Sequence, residues 1–354
     1  MIDWILAEKI AGYVSGNGEA AAPTADLPAL ATESERRVAA YTGLTPSRPL
    51  PSPEGIERRE WVKSNIQAMR GLLDPVLARA GDGLGPLRPA VQLALSLVVT
   101  AEVGVVLGYL AQRVLGQYEL VLLDEGLEDN PPRLLFVLPN IGQAVKSFEA
   151  QEEEFVTWVT LHEVTHAVQF AGVPWLHGHV SGLVKELLKS AELRMDGERK
   201  LHFPSTAELK RMAGALRSGD LISIFTTADE RDTLDRVQTV MAVIEGHAEH
   251  VMDAVAPDLL PSLPQLRAAL DRRRRSQSGL SRLFARLLGL ELKMRQYEQG
   301  KYFSDAIVRA VGTDALVRVF SEPDALPTPE ELTDPSRWLR RLGYHGQLPQ
   351  HSGA

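Results

Sequence analysis

The chain has 354 residues, enough for one large domain or about two of average size, and 44% of them are apolar. This ordinary globular composition argues against disorder, collagen-like repeats and low-complexity arrays. Acidic residues outnumber basic ones, 46 to 38, and the formal charge of −8 disfavours a dedicated nucleic-acid-binding protein. Because the chain has no cysteine, any metal must be held by His, Asp or Glu.

Residues 1–117 are predicted to form a helical scaffold. A short apolar-periodic helix opens the chain, and Thr32 with Glu35 has the spacing of a capping box, which predicts the start of a second helix. Apolar spacing from Trp61 to Ala80 predicts an amphipathic helix. The Pro-rich run between these helices is typical of a loop.

The most apolar segment lies between Arg88 and Arg113, where Glu102 is the one charged residue. Such a run fits either a membrane helix or a helix buried at the centre of a large soluble domain. The charge near its middle favours the buried helix, predicted over Leu87–Gln117, and no stable membrane span is expected. Asp3 and the lack of a basic N-terminal region argue against a signal peptide, so we expect a cytoplasmic protein.

Residues 118–175 contain the strand signals and the strongest helix. Two β-rich runs, Tyr118–Leu123 and Arg133–Leu138, are predicted to pair as a hairpin or as edges of a small sheet. A long helical pattern then extends from Glu152 to Ala171, where Gly172 and Pro174 follow. These elements together predict a mainly α fold, of the α+β type, with a small hairpin or sheet.

The rest of the chain is predicted to be helical. Residues 176–232 are more polar and are interpreted as a variable helical insert. Residues 233–344 contain a strong helix over about Thr233–Ala256 and several C-terminal helices, one of which is predicted to start at Thr328-Pro329-Glu330-Glu331. Residues 345–354 are predicted to be a flexible tail. We expect residues 1–354 to form a single domain.

The sequence His162-Glu163-Val164-Thr165-His166 is an HExxH motif inside the long helix. Two histidines four positions apart lie on one helix face, so both imidazoles can reach one metal ion. Glu163 lies beside them, where its carboxylate can contact water at the metal. The alternative is a pair of histidines without a metal, but the apolar surroundings make buried, unpartnered imidazoles costly.

A catalytic zinc site needs a third protein ligand and an open position for water. Gln169 and Gly172 stand where the metzincin extension requires Gly and His, so that type of site is excluded. The segment beginning at Glu245 resembles the Glu-Gly-x-Ala segment that supplies the third ligand in gluzincins, which implies Glu245 as ligand and Glu249 as the acid that orients a ligating histidine. Rival ligands are left open, in falling order: His247, His250, His177, His179.

Five stretches resemble the zincin-like metallopeptidase type 2 family, a bacterial group of uncharacterised hydrolases, some of them linked with biosynthesis of a deazaflavin cofactor. They are FVTWVTLHEVTHAVQF (155–170), LGYLAQRVLGQY (107–118), VLPNI (137–141), EGHAEHVMD (245–253) and KMRQYEQG (293–300). The resemblance covers nearly the whole chain. It implies a large zincin-like helical domain in which the HExxH helix is central, with Zn²⁺ as cofactor.

The motifs predict a zinc hydrolase that acts on a peptide or amide substrate with narrow specificity. Glu163 is the expected general base and acid. Tyr297 is the candidate donor to the transition state, with Arg295 and His250 behind it. The alternative hypothesis is a non-catalytic helical scaffold or partner-binding protein whose metal is structural or absent. The oligomeric state does not follow from the sequence.

Overall fold

A computed structural model describes residues 2–18, 23–83, 89–119, 131–196, 228–268 and 290–344. Helices dominate these residues and surround one small sheet, so the predicted mainly α fold is confirmed. The elements, numbered in chain order, are α1 (Trp4–Ser15), α2 (Leu27–Thr42), β1 (Pro53–Ile56), α3 (Arg58–Gly83), α4 (Pro89–Ala111), β2 (Gly116–Glu119), β3 (Arg133–Val137), α5 (Leu138–Phe148), α6 (Glu152–Gly172), α7 (Leu176–Asp196), α8 (Ala228–Val255), α9 (Leu290–Val311), α10 (Asp314–Val319), α11 (Pro329–Thr333) and α12 (Pro335–Arg341).

The sheet has the strand order β1-β3-β2. β2 pairs with β3 in antiparallel register, with Gly116 opposite Phe136 and Tyr118 opposite Leu134. The predicted pairing is thus confirmed for residues 118 and 119 of the first run, whereas residues 120–123 lie outside the described residues. β1 lies parallel to β3 on its other side, with Pro53 opposite Leu134. β1 was not predicted, because this strand begins at the end of a Pro-rich run that is typical of a loop.

Side chains of β3 alternate between two hydrophobic cores. Leu134 and Phe136 are buried in the larger core with α6 and α8, whereas Leu135 and Val137 are buried in a smaller core with α1, α3 and α4. Successive side chains of a strand point to opposite faces of a sheet, so β3 contributes to both cores. The sheet therefore separates two layers of helices.

The helix that carries the HExxH motif, α6, lies at the centre of the larger core. Most of its side chains are buried on every side, including Phe155, Leu161 and Val168. Three glutamates occupy its first turn, where negative charge interacts favourably with the helix dipole. The helix contacts α2, α8 and β2, and it is through α8 and β2 that the site is assembled.

The apolar segment predicted to be buried at the centre instead forms α4 at the outside of the smaller core. One face of α4 packs on α1, and a Cβ at Gly104 would lie 2.8 Å from the carbonyl oxygen of Ala7. Much of the N-terminal half of α4 is open, since Leu93 and Val98 are 62% and 64% exposed. The prediction of central burial is therefore wrong. Of the helices that can be inspected in the described ranges, none has the length and apolar character needed to span a membrane.

Three further boundaries differ from the predictions or support them. α2 begins at Leu27 with Asp26 as its cap, so the predicted start at Thr32 is wrong; the Thr32 hydroxyl donates to a carbonyl of its own helix. The helix start predicted at Thr328 is confirmed, and Thr328 forms a capping box with Glu331 at the start of α11. The segment predicted to be a variable helical insert, residues 176–232, starts with α7, whose first turns are buried in the larger core. Residues 197–227 and the predicted tail lie outside the described residues.

Candidate metal centre

The two histidines of the motif face each other on α6. Their Nε2 atoms are 3.2 Å apart, and the two rings meet edge to face with centroids 4.7 Å apart. His166 is buried and His162 is half-buried. This arrangement follows from the helical repeat, because residues four apart lie one above the other on the same face.

Glu245 on α8 completes a cluster with the two histidines. Its Oε2 lies 3.6 Å from Nε2 of His166 and 4.0 Å from Nε2 of His162. Neighbouring ligands of tetrahedral zinc are about 3.3 Å apart when the bonds are about 2.0–2.1 Å long, so these separations fit a zinc ion. The donor set of two imidazole nitrogens and one carboxylate is also that of catalytic zinc sites.

In each histidine of the motif, Nδ1 is the ring nitrogen that points away from the cluster, and its partner is a hydrogen-bond acceptor. Nδ1 of His162 lies 3.3 Å from the sulfur of Met252, and Nδ1 of His166 lies 2.9 Å from Oε1 of Gln169. A thioether sulfur and a carbonyl oxygen can only accept hydrogen bonds, so each Nδ1 is the donor. In the neutral form of each ring, Nε2 then has the lone pair and faces the cluster, as metal binding requires.

The pKa values of these groups are strongly shifted. Burial, together with the charge of His166, lowers the pKa of His162 to about 4, which keeps this imidazole neutral. Burial also acts to lower the pKa of His166, but the hydrogen bond and charge of Glu245 outweigh it and raise the pKa to about 9. The Glu245 carboxylate thus favours positive charge at the centre of the cluster, which is what a cation supplies.

Glu163 lies between α6 and the edge of β2. Its Oε2 accepts a hydrogen bond of 3.0 Å from the backbone N–H of Tyr118. The side chain is only 8% exposed, and burial raises its pKa to about 7. Gly116 makes room for it, because a Cβ there would lie 2.6 Å from Cγ of Glu163. A carboxylate with this pKa can exchange a proton near neutral pH.

An open cavity of about 390 Å³ reaches the cluster. The edge of β2 forms one side, and the three cluster residues and Glu163 lie on its floor. The remaining wall is apolar and consists of Phe170, Val180, Met241 and Ile244. The cluster is therefore accessible to a ligand of several non-hydrogen atoms.

The rival ligands His247 and His250 have other partners. His247 is buried below the cluster, where its Nδ1 lies 2.8 Å from Nε2 of Gln169 and its ring packs edge-on against Phe320. His250 bridges two helices through hydrogen bonds to the hydroxyl of Tyr41 and to Asp305, at 2.9 and 2.7 Å. Neither histidine joins the cluster of His162, His166 and Glu245 that the described residues form.

The remaining predicted site residues do not meet the cluster in the described part of the chain. Gln169 and Met252 are the hydrogen-bond partners of Nδ1 of His166 and of His162, where Glu249 was expected. His179 packs edge-on against Trp175 at the start of α7, where His177 also lies. The side chains of Tyr297 and Arg295 lie outside the described residues, although their backbone belongs to α9.

Sequence reasoning missed four residues of this site: Gly116, Tyr118, Gln169 and Met252. Gln169 carried a detectable signal, because a residue three positions after His166 lies on the same helix face. Met252 lies one heptad after Glu245, again on one face of α8. Gly116 and the backbone of Tyr118 carried no local signal, since their role depends on how β2 packs against α6.

Comparison with known proteins agrees with this geometry. A family model described as zincin-like metallopeptidase matches residues 2–339. Among solved structures, a candidate hydrolase with a novel fold from Chloroflexus aurantiacus is similar, with a TM-score of 0.70 and 30% sequence identity over 98% of this chain and 100% of that chain. A search of curated proteins found no match. The chain belongs to the zincin-like metallopeptidase family.

Proposed function

We propose that this protein is a zinc-dependent hydrolase, a narrow-specificity metallopeptidase of the gluzincin type. The observation that carries the proposal is the convergence of His162, His166 and Glu245 beside the buried carboxylate of Glu163 at the floor of an open cavity. In the described ranges three side chains converge, and a catalytic zinc site has three protein ligands where a structural site has four.

A zinc ion held by these side chains supplies Lewis acidity, polarising a substrate carbonyl and making water a better nucleophile near pH 7. Glu163 takes the proton of the attacking water. Because its Oε2 is engaged by the N–H of Tyr118, Oε1 is the oxygen left to accept that proton. Its raised pKa then lets it pass the proton to the leaving amine.

The edge of β2 offers a place for an extended peptide. The carbonyl of Leu115 accepts from the N–H of Val137 on β3, so the alternation of an antiparallel strand turns the backbone groups of Gly116 away from β3 and towards the cavity. A substrate backbone can pair with those groups. The apolar wall of Phe170, Val180 and Met241 favours an uncharged side chain next to the scissile bond.

The donor that stabilises the transition state stays a prediction. Tyr297 lies on α9, the helix that packs most extensively against α8 and thus against the helix of Glu245. This position is compatible with the expected role. The peptide-hydrolysis assay that tests Glu163 as the base also tests this prediction when it is applied to a variant of Tyr297.

Replacing Glu163 with Gln tests the proposal. Glutamine keeps the shape of the side chain and is not a zinc ligand here, so the variant should keep stoichiometric zinc. Hydrolysis of a fluorogenic peptide library should fall by about 10²–10⁴-fold, because the general base is lost. Glu245→Ala is the companion variant and should lose zinc as measured by elemental analysis.

Equal library hydrolysis by Glu163→Gln and the wild type would exclude Glu163 as the base. Stoichiometric zinc in Glu245→Ala would show that a different side chain is the third ligand. Glu8→Gln, which makes the same change at an exposed glutamate of α1, serves as the control and should change neither measurement.

A further inference from the structure

We propose that Gln169 and His247 form a positioning relay that fixes His166 for metal binding and ties the two ligand-bearing helices together. The inference rests on the proposed metal centre, but it concerns residues to which neither the motif nor the family match gives a role. Both side chains are almost fully buried, Gln169 at 0% and His247 at 1% exposure.

The orientation of the Gln169 amide follows from its neighbours. Its Nε2 lies 2.9 Å from the carbonyl oxygen of Ile244, which can only accept, so this end of the amide is the NH₂ group. The second N–H of that group faces Nδ1 of His247 at 2.8 Å. Oε1 is therefore the end that meets Nδ1 of His166.

This orientation determines the tautomer of His166. Because Oε1 can only accept, Nδ1 of His166 must carry a proton, so the neutral ring that a metal needs has its lone pair on Nε2, the nitrogen that faces Glu245. The opposite amide orientation would place two donors against each other. Gln169 thus selects the form of His166 that can bind a metal.

The same amide joins α6 to α8 next to the third ligand. Ile244 immediately precedes Glu245, so its hydrogen bond to Gln169 holds the backbone of the Glu245 helix at a fixed distance from His166. Nδ1 of His247 accepts the second N–H of the Gln169 amide and so holds the amide in this orientation. The His247 ring is itself held edge-on against Phe320, with centroids 5.1 Å apart. His247 therefore acts on His166 only through Gln169.

The test measures zinc affinity of the full-length protein by competition with a chelator of known zinc affinity. Gln169→Met keeps the volume of the side chain and removes all three hydrogen bonds, and we expect zinc to bind about 10- to 100-fold more weakly. His247→Phe keeps a ring against Phe320 and removes one acceptor, so it should weaken binding less. In the double variant, His247→Phe should add nothing to the loss caused by Gln169→Met.

Thr157→Val is the matched control, because Thr157 is a buried polar residue of the same helix that bonds to the carbonyl of Glu153 and not to the site. Circular dichroism verifies that each variant is folded. The relay would be overturned if Gln169→Met bound zinc within threefold of the wild-type affinity. Additive losses of zinc affinity in the double variant would show that His247 does not act through Gln169. A wild-type protein that binds no zinc would contradict the metal centre itself and the relay with it.

Discussion

At the scale of single residues, Gly116 allows Glu163 to approach the edge of β2. A Cβ at this position would lie 2.6 Å from Cγ and 2.9 Å from both Cδ and Oε1 of Glu163. The atoms that would collide belong to a flexible side chain, so the protein can relieve the collision by moving the carboxylate. A substitution here should therefore displace the proposed base without unfolding the chain.

Gly116→Ala should keep stoichiometric zinc and lower peptide hydrolysis by about 100-fold, because a shift of about 1 Å in a catalytic group has effects of this size. Zinc content and rate on the fluorogenic library are the measurements. Gly12→Ala is the control, since a Cβ at Gly12 meets open space. Undiminished hydrolysis by Gly116→Ala would show that catalysis does not need Glu163 at its observed position against β2.

Asp305 is a second residue whose charge state has a predicted effect. Burial raises the pKa of Asp305, but hydrogen bonds from His250 and Lys301 lower it more strongly, so the net pKa lies below its ordinary value of 3.8. A carboxylate with a lowered pKa in the folded state stabilises the protein above the unfolded pKa, and this contribution is lost as the pH falls through the folded pKa.

Asp305→Asn should lower the free energy of unfolding by about 1–2 kcal/mol at pH 7, because a partly exposed charged hydrogen-bond acceptor is lost. The difference from the wild type should shrink as the pH falls below the unfolded pKa of about 3.9 and through the lower folded pKa. Urea titrations at pH 7 and pH 3 measure both values. A difference that is equal at the two pH values would contradict the assignment of this stabilisation to the Asp305 carboxylate.

At the scale of secondary-structure elements, the crossing of α8 and α9 depends on two glycines. A Cβ at Gly246 would lie 2.0 Å from the backbone carbon of Gly300 and 2.3 Å from the nitrogen of Lys301. A Cβ at Gly300 would in turn meet the carbonyl of Ala242. These neighbours are backbone atoms, so the helices must separate to accommodate any side chain.

Gly246→Ala should lower the free energy of unfolding by about 3 kcal/mol, at the upper end of the usual cost of overpacking. It should also weaken zinc binding, because Glu245 is the adjacent residue on α8. Gly71→Ala on α3 is the matched control: its Cβ meets open space, and it should be neutral or stabilise by up to about 1 kcal/mol. Denaturation and zinc titrations that do not distinguish the two variants would contradict the role of this crossing.

Elements with a strong local signal could be predicted from the sequence. The apolar period located α6 and α8, and the run Thr328-Pro329-Glu330-Glu331 marked the start of α11. The spacing of His162 and His166 predicted that their imidazoles meet, because helical geometry alone brings them together. Their proximity to Glu245 could be inferred only by resemblance, since it depends on how two helices pack.

Elements that depend on tertiary contacts could not be predicted. The Thr32 pattern matches a capping box, yet α2 begins earlier because Asp26 provides a cap upstream. α4 is apolar around its whole circumference, so its sequence does not distinguish a central helix from one that covers the outside of a core. β1 has only four residues, and its pairing with β3 is set by contacts far away in sequence.

At the scale of the whole molecule, the site is assembled from three distant parts of the chain. β2 supplies the strand edge against which Glu163 packs, α6 supplies the two imidazoles, and α8 supplies the carboxylate of Glu245. α6 and α8 belong to the larger core on one side of the sheet, and Tyr118 of β2 packs against that core. The cluster can therefore form only when this core is packed, which couples metal binding to the folded state.

The proposed centre, one zinc ion held by His162, His166 and Glu245, can be tested by anomalous diffraction at the zinc absorption edge from crystals of the zinc-loaded protein. We expect one peak about 2.0–2.2 Å from both Nε2 atoms and from a carboxylate oxygen of Glu245, with no fourth protein ligand. A peak at another group of histidines, a fourth protein ligand on the zinc, or no peak in zinc-saturated crystals would contradict this proposal.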